Sequence, residues 1–326
     1  MPGFITHLMF GELALGEIDN QKTKALLKQN KTAFGLGLEG PDIFFYHIPS
    51  HIFHKRNIGN IIHDTSVSVF FDNLLNARNR ITDISAQQVA DAYICGFLGH
   101  YTLDVACHPY IFCRTNHFAA IERRGKSFDF GNHISLETDI DHVLLAHFKH
   151  LKPTEYDYAA SVKPSAFDLD VIASLLEYAI NKTFKDEHIQ KSSIKGAISS
   201  FVTLNKMMHD PTGIKKKGVR ALEQIFFGHA VISSMVPSDR LIKFKDPLNL
   251  KHREWANEWD SSIKSTESIL ELMNSHTEKF IDRITLYKKV FSPSYEAEKG
   301  DAIYYKAILL DELGNNSYSS GLPLEE

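Results

Sequence analysis

The sequence predicts an all-α protein. Three observations carry that expectation. Apolar residues recur at helical spacing through most of the chain, no segment is β-rich, and residues 89–109 (VADAYICGFLGHYTLDVACHP) form one long apolar helix with His100, Asp104 and His108 in a single row. Positions i, i+4 and i+8 lie on one helix face and climb about 6 Å per step, so the three side chains make a ladder along the axis. Val89, Tyr93, Ile94, Phe97, Leu98, Tyr101, Leu103 and Val105 make the helix apolar on nearly every side, the pattern of a buried element. Two imidazoles and a carboxylate inside a core need partners, which a hydrogen-bonded network or a metal ion could supply. Three ligand-type residues in register favour the metal.

The chain has 326 residues, 43% of them hydrophobic, enough for one large or two ordinary domains with a real core. The formal charge of −4 gives no long-range attraction to nucleic acid or an anionic membrane, so any such partner must be met by a local patch. No specific nucleic-acid partner is expected. Cys95, Cys107 and Cys113 are odd in number and crowd around the central helix, which argues for packing roles and a reducing compartment. The start MPGFITHLMFGELALG lacks a basic, signal-like region and no long apolar run occurs, so a cytoplasmic protein without a transmembrane segment is expected.

In chain order, Ile5 to Gly16 is a short apolar segment holding His7, followed by a polar helix-like stretch with Lys22, Lys24 and Lys28. In AFGLGLEGPDIFFYHIP a single acid, Asp42, follows Gly40-Pro41, where Pro41 fixes φ and Gly40 lets the backbone come close to a neighbour. Asp42 could cap a helix beginning at Ile43 or act as a ligand. His47, His51 and His54 stand in an irregular loop and suit the surface or a substrate rim, whereas His63 follows Ile61-Ile62 and lies nearer the core. Beyond the central helix, CRTNHFAAIERRGKSFDFGN reads as a loop and HISLETDIDHVLLAHF as a helix starting after Asn132. There His133 and Glu137 again stand four apart, with Asp141 a turn further along. A second helix with the same spacing points to a shared multi-metal site.

From Leu151 onward SSIKGAISSFVTLNKMMH, KKGVRALEQIFFGHAVISSM and SSIKSTESILELMNSHTEKFIDRITLYKKVF read as helices. Lys215-Lys216-Lys217 reads as a solvated helix start, and residues 246–259 as a cap on the helical core in preference to a substrate-facing wall. This gives a metal-binding catalytic core at 1–150, a helical part packed on it at 151–313, and a disordered tail at 314–326.

The ordered set His7, Asp42, His63, His100, Asp104, His108, His133 and Glu137 resembles the zinc-dependent phospholipase C family and, more distantly, the fungal single-strand-specific nucleases that share its fold. The likeness covers about the first 150 residues and rests on THLMFGE, GPDIFFY, IIHD, GHYTLDVACHPY and HISLE, the last two being the specific ones. It implies a multi-helix bundle with a multi-zinc cleft. Asp42, His63, His100 and Asp104 would hold one ion, His108, His133 and Glu137 a second, and His7 with a bridging Asp104 a third. Two departures stand out. Secreted members also hold the third ion through an N-terminal Trp, whereas this chain begins Met-Pro-Gly, so two or three ions are expected with the His7 position weakest. The Asp104 to His108 interval is shorter, which keeps His108 on the helix. His63 is preferred over His54 for its apolar setting.

Mixed His and carboxylate ligands suit zinc, and ions a few Å apart can clamp the attacking and leaving oxygens of a displacement at phosphorus. Asp42 could also orient the attacking water as a base, while Asp139 and Asp141 could fix imidazole orientation. The expected function is a zinc-dependent phospholipase C-like phosphodiesterase acting on a phospholipid head group or related phosphoester. A nuclease or small-phosphoester hydrolase on the same scaffold is the alternative enzyme, and a non-catalytic zinc-stapled helical protein the alternative class. No stretch reads as the membrane-binding β-sandwich of secreted toxin relatives, so efficient attack on intact bilayers is not implied. A closed four-ligand shell would mark a structural ion and an open position facing a cleft a catalytic one.

Overall fold

The computed structural model describes residues 3–46, 57–64, 66–237, 239, 243–291 and 299–324, so His47, His51 and His54 lie outside the described residues. The protein is all-α. Its helices are α1 (Phe4–Glu17), α2 (Gln21–Gln29), α3 (Lys31–Leu38), a 3-10 turn (Gly40–Tyr46), α4 (Ile58–His63), α5 (Val67–Asn79), α6 (Ile84–Thr115), α7 (His117–Arg124), α8 (Lys126–Lys149), α9 (Tyr158–Val162), α10 (Ala166–Thr183), α11 (Lys191–Met207), α12 (Ile214–Phe226), α13 (Ile232–Met235), α14 (Ile269–Phe291) and α15 (Lys299–Leu313). No helix among the described residues is long and apolar enough to cross a membrane.

Helix α6 is the axis. It is longer than residues 89–109, because the Asp83 side chain accepts from the Ala86 amide at 2.7 Å to start it early and only Asn116, at φ 51°, stops it. Pro109 lies inside without ending it. Helix α3 packs against α6 almost backbone to backbone: a Cβ at Gly37 would stand 2.1 Å from the Tyr93 oxygen, and one at Gly96 2.2 Å from the Phe34 oxygen. That closeness brings the end of α3 to the His100 ring. Helices α1, α8, α10 and α14 also pack on α6, so the elements of both halves of the chain surround it. Most of the buried apolar residues form one cluster running from Leu8 to Tyr318.

The structure differs from the sequence expectations in four places. Residues 117–132 are helical in α7 and α8, because Asn116 and Gly125 (φ 86°) confine the breaks to single positions. Residues 255–265 form a small antiparallel hairpin pairing Trp255 with Ser265, and the long helix after it begins only at Ile269. Lys216 is buried, while Lys215 and Lys217 are exposed as a solvated helix start requires. Residues 314–324 of the tail are ordered: Asn316 bridges Pro323, and the Tyr101 hydroxyl donates to the Leu313 carbonyl at 3.0 Å. Its polar composition hid one large anchor, Tyr318, which is 1% exposed.

Candidate metal centre

Five elements deliver the eight side chains: α1 carries His7, the 3-10 turn Asp42, α4 His63, α6 His100, Asp104 and His108, and α8 His133 and Glu137. All are buried. Helical spacing sets the ladder on α6, and Gly40 sets the turn beside it, with φ at 50° and so little room that a Cβ would lie 2.3 Å from the His100 ring. Asp42 caps no helix, since both of its carboxylate oxygens lack a hydrogen-bond partner among the described residues.

The side chains converge on Asp104. One of its oxygens lies 3.2 Å from His7 Nε2, and the other 3.2 Å from His100 Nε2 and 3.6 Å from His63 Nε2. Asp42 closes the group, 3.4 Å from His63 Nε2 and 3.9 Å from His100 Nε2. A turn further along α6, His108 Nε2 is 4.0 Å from Glu137 Oε1, which His133 Nε2 approaches to 2.7 Å, while His108 Nδ1 stays 3.8 Å from Asp104. Three groupings of candidate ligand atoms result: His7, Asp42 and His100; His63, His100 and Asp104; and His108, His133 and Glu137.

Backbone carbonyls orient three of the imidazoles. His63 Nδ1 meets the Gly59 oxygen at 2.7 Å, His100 Nδ1 the Leu38 oxygen at 3.0 Å, and His108 Nδ1 the Tyr318 oxygen at 2.6 Å. A carbonyl only accepts, so each Nδ1 carries the proton and each Nε2 turns a lone pair inward. Those Nε2 atoms, both ring nitrogens of His7 and both oxygens of Asp104 are buried without a hydrogen-bond partner among the described residues, although they lie within about 4 Å of one another. Short approach without hydrogen-bonding geometry is the arrangement that cations between the groups require. These residues fit zinc.

The electrostatics agree. Burial, with the neighbouring His100 ring, lowers the His7 pKa to about 4. Burial likewise pushes His108 and His133 well below the usual range, so all three rings are neutral and able to ligate. Burial and then the Asp104 charge raise Asp42, and burial raises Glu137. At Asp104 burial also raises the pKa, but His100 and His108 outweigh it and hold this carboxyl well below its ordinary value. A buried carboxylate ringed by imidazoles that turn lone pairs toward it is a cation site in charge as well as in shape.

Residues 6–185, more than half of the chain, match the family described as Zinc dependent phospholipase C. The chain belongs to this family. Comparison with curated proteins and with solved structures gives no match. As a zinc-dependent phospholipase C family member, the chain has its matched region reaching through α10, beyond the 1–150 span that the motifs mark.

Two expectations fail and some participants had no sequence signal. Asp141 accepts from the Ile5 and Thr6 amides at 3.2 and 2.8 Å and from the Thr6 hydroxyl at 2.6 Å, so it anchors the start of α1 in place of any of the eight candidate side chains. Asp139 accepts from the Lys243 and Phe244 amides, both at 2.6 Å. The helical period placed these acids one turn from Glu137 but could not say which neighbour each would meet. Tyr318 was missed because its role is a main-chain oxygen, and Glu39, which accepts from the Tyr158 hydroxyl, because nothing local marks it as buried. A cavity of about 420 Å³ adjoins the centre through Asp42 and Glu137 and is walled by Phe4, Tyr46, Tyr156, Tyr158 and the end of α11.

Proposed function

We propose that the protein is a zinc-dependent phosphodiesterase that hydrolyses a phospholipid head-group ester or a closely related phosphodiester. The observation that carries this reading is the pair of side chains, Asp42 and Glu137, that belong both to the buried ligand groups and to the wall of the 420 Å³ cavity. A centre serving only as a staple would be closed on all sides by protein. Asp42, His63, His100 and Asp104 would hold one ion, His108, His133 and Glu137 a second, and His7 with Asp104 the weakest third.

When bound, zinc supplies Lewis acidity toward phosphoryl oxygens and makes water acidic enough to attack near neutral pH. Within the chain, Asp42 is placed to accept the proton of the attacking water, having both carboxylate oxygens turned to the centre and a pKa raised by burial and by Asp104. Asp104 holds a negative charge between His7 and His100, where it would balance the charge of bound cations. The Gly59, Leu38 and Tyr318 carbonyls hold the rings so that no proton faces the reacting oxygens. Phe4, Tyr46, Tyr156 and Tyr158, with Glu155 and Asp157, line the cavity with aromatic faces and carboxylates that suit a cationic head group.

Elemental analysis of chelator-free protein, paired with turnover on a panel of phosphocholine, phosphoethanolamine and dinucleotide diesters, tests the reading. At least two equivalents of zinc and hydrolysis of a head-group diester are expected. Less than one equivalent of transition metal would sink the proposal, and hydrolysis confined to dinucleotides would move it to the nucleases.

A further inference from the structure

Helix α12 is turned inside out. Its buried residues are Lys216 and Glu223, while Ile214, Leu222, Ile225 and Phe226 are 70, 58, 76 and 75% exposed, and Phe227 just after it is 59% exposed. At 100° per residue, Ile214, Leu222 and Ile225 share one face and Lys216 and Glu223 lie opposite. Polar contacts fix this orientation. Glu223 accepts from the Ile232 amide at 2.5 Å and the Ser233 amide at 3.2 Å, and the Lys216 amide donates to Asp210 at 2.9 Å. The next helix, α13, is seated on α8, where a Cβ at Gly131 would stand 1.9 Å from the Ala230 oxygen.

The exposed strip is edged with cations. Lys215, Lys217 and Arg220 are exposed on α12, and Arg220, Lys216 and Arg124 are close enough to act electrostatically on Lys243. A chain of formal charge −4 thus carries a local basic, apolar face. We propose that α12 is an interfacial helix that seats the protein on an anionic phospholipid surface. Apolar side chains entering the acyl boundary, with lysine and arginine at head-group level, are the chemistry of such a helix. A second copy of the chain fits less well, because a two-fold contact through this face would bring Lys215, Lys217 and Arg220 toward their own symmetry mates.

The placement serves the cavity. The chain entering α12 contributes Asn205, Lys206 and His209 to its wall, and the chain leaving α13 contributes Pro237. A surface under α12 therefore lies beside the cavity, and this consequence, unlike the binding itself, rests on the phosphodiesterase reading.

Co-sedimentation with extruded vesicles tests the proposal, comparing phosphatidylcholine alone with a mixture one third phosphatidylglycerol. Binding at least about tenfold tighter to the anionic vesicles and weakening with added salt is expected. Ile225→Glu and Phe226→Glu should each weaken it by about tenfold or more, and Lys217→Glu with Arg220→Glu should remove the preference for the anionic lipid. All should keep the wild-type melting temperature and turnover of a soluble short-chain diester. Absence of binding to anionic vesicles, or binding untouched by these substitutions, overturns the proposal. A wild-type dimer that Ile225→Glu converts to monomer overturns it in favour of self-association. Vesicle binding lost in the variants, alongside no turnover of any diester by the wild type, would leave the surface standing and remove the phosphodiesterase.

Discussion

The Tyr318 carbonyl oxygen accepts the Nδ1–H of His108 at 2.6 Å, across 210 residues of sequence. Among the described residues no other hydrogen bond fixes the tautomer of that ring, so the inward lone pair of His108 depends on a segment far in sequence from every candidate ligand.

Removing residues 314–326 should therefore weaken zinc at the His108, His133 and Glu137 position by about 10- to 100-fold, read by competition with a chromogenic chelator. Tyr318→Ala keeps the carbonyl and loses only the buried ring. It should lower stability by about 3–5 kcal/mol while changing zinc affinity only a few-fold. Equal loss of affinity from both changes would mean that the ring and not the carbonyl matters.

Asp104→Asn keeps size and shape but removes the charge that faces His7, His63 and His100. Zinc content should fall at more than one position, and turnover of a phosphocholine diester should drop by about 10³-fold or more. Asp141→Asn alters the anchor of the start of α1 at the edge of the cavity and faces none of the three ligand groupings. Its expected cost is about 1 kcal/mol in thermal melting, with turnover close to wild type. If both substitutions gave the same small loss, the ladder would be a structural network.

In the chelator-treated protein, the contribution of His7 to stability should fall in acid over a defined window. His7 titrates at about 4 in the fold against 6.5 in the unfolded chain, so between those values the unfolded state binds more protons and stability rises with pH. The contribution is fully present above pH 6.5 and is lost as pH falls toward 4, on the order of 3 kcal/mol for His7. His108 and His133 shift in the same direction. The difference in urea melts between the wild type and His7→Ala across this range checks the sign, because it separates His7 from Asp42 and Glu137, whose raised pKa values act in the opposite direction.

His63 lies 3.4 Å from Asp42 and 3.6 Å from Asp104, and it was the sequence's preferred alternative to His54. His63→Ala should lower zinc affinity by about 10- to 100-fold, while His54→Ala should leave it within a few-fold. The reverse order in a zinc titration would transfer the ligand role to His54.

What could be read from the sequence was what helical periodicity encodes. His100, Asp104 and His108 share a face because of their spacing, and so do His133 and Glu137, wherever their helices pack. Asp42 was legible through Gly40-Pro41, since a left-handed glycine beside a lone acid implies a close neighbour, here the His100 ring. Partners set by tertiary packing were not legible. Asp141 lies on the expected turn yet meets α1, and Leu38 and Tyr318 act through oxygens that every residue has. Periodicity also found the stripe of α12 but not its direction, because a stripe shows two faces without saying which one the core takes.

The tie between His108 and Tyr318 also places the metal centre in time. At synthesis rates of about 5–20 residues per second, the 210 residues between them take about 10–40 s to make, while α1 through α8 are already free to pack. During that interval the His7, Asp42, His63 and His100 side chains can assemble, but His108 lacks the acceptor that sets its proton. On the proposed reading, an ion at the His108, His133 and Glu137 position would then reach full affinity only after residue 318 has left the ribosome, so that its tight binding would report that the nascent chain has closed.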